Sequence, residues 1–148
     1  MSVLILFPLL SSCAGISSST SDSTETDPAG IEKAGALFQE GKYADAVGQY
    51  RKLAKSGQKQ VAETAQFQLA RALAFYKNPG RNYAEAVVEF KLFIKRYPSS
   101  HLKEEASNWN FIIEQYFSMK SENGKLREDI KKLVDIDIDV GKKQRQIK

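Results

Sequence analysis

The chain has a single cysteine and a single histidine in 148 residues. A disulfide within the chain is therefore excluded, and so are the usual His/Cys metal constellations. No glycine-rich phosphate loop occurs, and no cofactor is expected. Charge of one sign is missing too. Twenty-two basic against 18 acidic residues leave a net +4, dispersed along the chain, so nucleic acid is not an expected partner. Nor is there a long apolar run. The opening MSVLILFPLL is interrupted at Pro8 and Ser11, well short of the ~18–20 residues a membrane span needs. What remains is enough chain for one modest domain.

The one cysteine is placed where it has meaning. Residues 1–10 are apolar and lead into Ser11, Ser12, Cys13, Ala14 and Gly15, the pattern of a signal peptide. Leu10-Ser11-Ser12-Cys13 resembles a bacterial lipobox. The resemblance implies that residues 1–12 are removed as a lipoprotein signal peptide and that Cys13 is acylated, with palmitate among its chains. Several chains anchor durably where one binds only marginally. In such lipoproteins Asp after the Cys favours the inner membrane; here Ala14 stands there, which implies the outer membrane, periplasmic face. No Lys or Arg precedes the apolar run, so a start upstream, supplying a basic n-region, is the expectation. The competing reading is a short buried helix with an ordinary Cys. Residues 13–30 include ISSSTSDSTETDPAG, too polar to offset the entropy of ordering, and read as a flexible tether.

Beyond the tether the spacing is helical. Ile31, Ala34, Leu37 and Phe38 share one face over residues 31–40, and Gly41 ends that helix. Residues 41–54, GKYADAVGQYRKLA, then have an echo in residues 82–94, NYAEAVVEFKLFI. Tyr43/Tyr83, Ala46/Ala86, Tyr50/Phe90 and Leu53/Phe93 follow the spacing 3, 4, 3, which puts each set on one helical face. A helix is expected over 43–55, another over 83–97. Between them, residues 61–77 carry Ala62, Ala65, Leu69, Ala72, Leu73 and Tyr76 as one stripe and Ala70 and Ala74 as a second. Asn78-Pro79-Gly80 is expected to end that helix. A fifth helix, capped by Ser99 or Ser100 with Glu104 and Glu105 at its positive end, presents Ala106, Trp109, Ile112, Ile113, Tyr116 and Phe117.

Gly41, Tyr43, Ala46, Tyr50 and Leu53, followed by Tyr83, Ala86, Phe90, Phe93 and Pro98, resemble the tetratricopeptide repeat over residues 31–117. The first copy lacks the closing Pro, and the second has extra residues, 78–82, in place of a tight Gly turn. The resemblance implies an all-α domain over residues 31–118: a helical hairpin array of about two repeats plus a capping helix. In that family ligand peptides lie against the first helix of each pair. By position Thr64, Phe67, Arg71 and Phe75 face the groove, with Asn108, Ile112 and Tyr116 continuing it. Phe67 and Phe75 read equally well as core. Arg71, a charge amid Ala, Leu and Phe, needs a carboxylate or solvent.

Residues 119–148 change period. Met119, Leu126, Leu133, Val140 and Ile147 recur every seven residues, with Ile130 at the complementary position and Asn123, Asp137 and Gln144 at the others. One reading is a coiled-coil segment that self-associates or pairs with another protein; the other is a solvated helix or tail. Gly124 is the expected break or kink. Lys142, Lys143, Arg145 and Lys148 make the end basic, a solvated tail or an attraction to acidic headgroups or an acidic partner.

Motifs for chemistry are thin. Ser100 to Lys103 spells Ser-x-x-Lys without companion motifs, and a helix cap accounts for Ser100. His101 lacks a nucleophile placed with it. Asp135, Asp137 and Asp139 begin like an EF-hand loop, but Gly141 comes one place late and the closing Glu is missing. A non-enzymatic, metal-free binding protein is therefore expected, its partners other envelope proteins. A sensor kinase of a two-component system is one partner, suggested by resemblance to small lipoproteins accompanying such kinases. Outer-membrane protein assembly, or a cell-wall or division complex, is the alternative.

Overall fold

A computed structural model describes residues 28–147. The signal peptide, Cys13, tether residues 13–27 and Lys148 lie outside the described residues. Five helices follow one another: α1 (Pro28–Gln39), α2 (Tyr43–Leu53), α3 (Lys59–Ala74), α4 (Tyr83–Arg96) and α5 (Lys103–Gln146). No strand occurs among the described residues, so the fold is all-α. Each helix packs on the next, and α1 also reaches α3.

Residue chemistry explains each boundary. Pro28 stands at the first position of α1, where a missing N–H costs nothing. That start lies inside the stretch expected to be tether. At the other end Gly41 adopts φ +79°. Its N–H donates to the Phe38 carbonyl and that of Lys42 to Leu37, at 3.1 and 2.9 Å. The two bonds make a Schellman stop, and a left-handed residue is needed to form it. α2 then buries Ala46, Val47, Tyr50 and Leu53, and α4 buries Ala86, Phe90 and Phe93. The paired sets read from the sequence thus occupy equivalent inward faces. Between them α3 has ten buried residues and is covered on two sides.

Three expectations are corrected. First, α3 stops at Ala74, four residues before Asn78. Phe75 leaves the helix with an extended backbone, and the Asn78 side chain donates to the Ala72 carbonyl at 2.9 Å. That carbonyl would take the Tyr76 N–H in a longer helix, so the buried Asn78 replaces a helical turn. Its Oδ1 also accepts from the Gly80 N–H at 2.9 Å. Second, α5 starts at Lys103 rather than at a Ser99 or Ser100 cap. The Ser100 hydroxyl accepts from the Leu102 N–H instead, at 3.1 Å, holding the turn before the helix.

Third, Gly124 does not break α5, which runs unbroken for 44 residues, about 65 Å. The expected boundary at residue 118 falls inside this helix, where packing against α4 ends. A mid-helix Gly costs only ~1 kcal/mol relative to Ala, less than losing the turns on either side of it. Asp135, Asp137 and Asp139 are helical and exposed. On a helix Asp137 points away from Asp135 and Asp139, so the three do not converge as an EF-hand loop would make them. No group of His, Cys, Asp or Glu suited to a metal occurs among the described residues.

Candidate functional site: an aromatic groove

Four helices contribute to one apolar hollow. Phe38 comes from the end of α1. Arg71 and Ala74 come from α3, with Phe75 and Tyr76 directly after it. Tyr83 opens α4, and Trp109, Ile112, Ile113 and Tyr116 lie along the first turns of α5. The cavity measures about 480 Å³. Its floor is a ring cluster: Phe75 lies 4.9 Å from Phe38 and 5.5 Å from Tyr43, centroid to centroid. Phe38 meets Tyr43 edge-on at 5.3 Å. On the far wall Tyr83 and Tyr116 are 5.4 Å apart, while Trp109 lies parallel to Phe90 at 6.4 Å. Ring pairs at these separations add specificity beyond the area they bury.

The early stop of α3 creates this floor. A helix continued through Phe75 would carry its ring onward around the axis. The extended backbone at Phe75 lets it lie beneath Phe38 and Tyr43, and leaves Tyr76 exposed at the rim. Asn78 holds the bend from behind.

Arg71 is the only charged residue among those lining the cavity. It is exposed, and its guanidinium carbon lies 5.8 Å from the Phe67 ring centroid. Its Nη1 donates to Gln68 Oε1 at 3.2 Å. Among the described residues no carboxylate pairs with it. Elsewhere on the surface Arg51 pairs with Glu85, and Lys91 with Glu114 at 2.7 Å.

Of the seven residues expected to form a groove, Arg71, Phe75, Ile112 and Tyr116 meet in this cavity. Phe67 does not. It is 1% exposed, packed against Phe90 and Phe93 at 6.0 and 5.5 Å, and belongs to the core. Thr64 is half-buried one turn earlier on α3, and Asn108 is exposed on α5. Neither lines the cavity. Phe38, Ala74, Tyr76, Tyr83, Trp109 and Ile113 complete it without having been expected there. The helix-period pattern marks each as apolar, but the extended backbone at Phe75, which sets its ring against Phe38, is not encoded in that period.

Two other hollows carry several charged residues in their walls. One, about 500 Å³, opens beside the Arg51–Glu85 pair, near Gly41 and Asn78. The other, about 350 Å³, lies between Lys59, Glu63, Arg96, Tyr97 and His101. Burial raises the Tyr97 phenol above its ordinary range, partly opposed by Arg96. The Ser100 hydroxyl on that wall is held by the Leu102 N–H. Compared with known protein families, curated proteins and solved structures, the chain matches none.

Proposed function

We propose that this chain is a non-enzymatic scaffold, a tetratricopeptide-like array that holds another envelope protein in the groove beside Arg71. On this reading Cys13 is lipidated and fixes the domain to the outer membrane, facing the periplasm. The observation that carries the binding reading is the convergence of Phe38, Phe75, Tyr76, Ile112 and Tyr116 around one unpaired cation. Apolar pockets with a few placed polar groups are the usual form of a binding site. The chemistry that fits is an apolar or aromatic segment carrying a carboxylate, with Arg71 as its counter-ion. Among envelope proteins, a two-component sensor kinase is the proposed partner, modulated rather than chemically altered.

Affinity isolation from membranes tests this, with wild type against Arg71→Glu and Ile112→Lys. Both side chains are exposed, so neither change empties the core. The expected outcome is a sensor kinase retained by wild type and lost from both variants at unchanged helicity. Recovery of barrel-assembly proteins instead would move the function to outer-membrane assembly.

A further inference from the structure

Beyond Phe117, α5 runs clear of the other helices, and the residues from 118 to 140 are all exposed. This free arm is not polar. Met119, Leu126 and Ile130 are each 60% exposed, and Leu133 is 66% exposed. Val140 and Ile147 continue the same seven-residue row. A contiguous apolar row of this length on one face of a free helix marks a contact surface. Its period is that of a left-handed two-helix seam, with Asn123, Ile130, Asp137 and Gln144 alternating with the apolar row.

We propose that this seam pairs with a second copy of the chain as a parallel, in-register coiled coil beginning at Met119. Two independent features select that occupant. Asn123 sits at a core position, where an Asn that meets its own copy fixes register and strand number. Its side-chain amide now donates to its own Met119 carbonyl at 2.9 Å, leaving Oδ1 for the partner's amide.

The charges flanking the seam are sorted by side. Lys120, Arg127 and Val134 follow one edge, and Glu122, Asp129 and Ile136 the other. In a parallel pair each edge meets the opposite edge of the partner, so Glu122 faces the partner's Arg127. In an antiparallel pair each edge meets its own kind, Lys and Arg against Lys and Arg. Arg127 has no carboxylate partner among the described residues, whereas Lys132 already pairs with Glu128 at 2.9 Å on the outer face. Upstream, Trp109, Ile112 and Tyr116 share the register but line the cavity. The domain therefore occupies that side, and both domains sit at one end of the coil. Downstream, Asp137 meets its own copy, so the tightest stretch is Met119 to Leu133. This rests on the free face of α5 and is independent of the groove.

Disulfide trapping in the full chain tests it, with Cys13→Ala removing the only native thiol. Asn123→Cys and Asp137→Cys, each alone, should give predominantly cross-linked dimer under mild oxidation. Ser121→Cys, on the opposite face, should not. Cross-linking absent from each chain alone but present when Asn123→Cys and Leu133→Cys chains are mixed would mean antiparallel pairing, in which one core row faces the other, and would overturn the proposal. Equal yields at 121 and 123, or none at 123, would overturn it too. In sedimentation, Glu122→Arg should weaken the dimer roughly tenfold, and Glu122→Arg with Arg127→Glu should restore it. A chain that is monomeric in sedimentation, binding a helix of another protein instead, contradicts the proposal.

Discussion

Gly41 turns α1 into α2 at φ +79°, a conformation that costs an L-residue about 1–2 kcal/mol. Gly41→Ala should lower stability by that amount, read from thermal unfolding by circular dichroism. Tyr50 makes a pH-dependent contribution. Burial raises its phenol above the ordinary 10.0, against a smaller lowering by Arg71. A raised folded-state value means the contribution is complete below the unfolded pKa of about 10 and is lost as pH rises through the higher folded value. Stability should therefore fall above about pH 10, and Tyr50→Phe should blunt that fall in denaturant titrations. Phe67 and Arg71 lie one turn apart on α3 with opposite fates. Phe67→Ala should cost about 3–5 kcal/mol, while Arg71→Glu should stay within about 0.5 kcal/mol of wild type in the same urea titration.

At the scale of elements, helical spacing was enough to place α2 and α4. Their buried faces follow the 3, 4, 3 pattern because each helix has one neighbour-facing side. The end of α3 was not legible in this way. Asn78-Pro79-Gly80 reads as a terminator, but the stop at Ala74 depends on the Asn78 side chain reaching back to Ala72, a contact that no spacing rule encodes. The same bend separates Phe75 from Phe67. Their eight-residue interval predicts a shared helical face, yet one ring is core and the other lines the groove. α5 misleads in the other direction, since Gly124 sits in open space and the helix runs through it. Because residues 118 to 140 of the arm are all exposed, ending the chain at 118 should leave the thermal midpoint of α1–α4 unchanged. A drop of more than a few degrees would mean that the arm supports the body.

For the whole molecule, the all-α class was legible from periodicity, and part of the groove from position along the helices. Arg71, Ile112 and Tyr116 stand on regular helices, where spacing fixes direction. Tyr76 and Tyr83 flank an irregular loop, where it does not. The proposed membrane attachment through Cys13 is tested separately. Cys13→Ala should shift the protein out of the membrane fraction and retain the unprocessed size; a variant that stays membrane-bound would exclude the lipid anchor. The central claim is that the aromatic groove around Arg71 holds a partner protein. Affinity isolation from envelope membranes with wild type and Arg71→Glu compares the two directly. One envelope partner should be recovered with wild type and lost with Arg71→Glu at unchanged helicity. Equal recovery of that partner by both chains would contradict the claim.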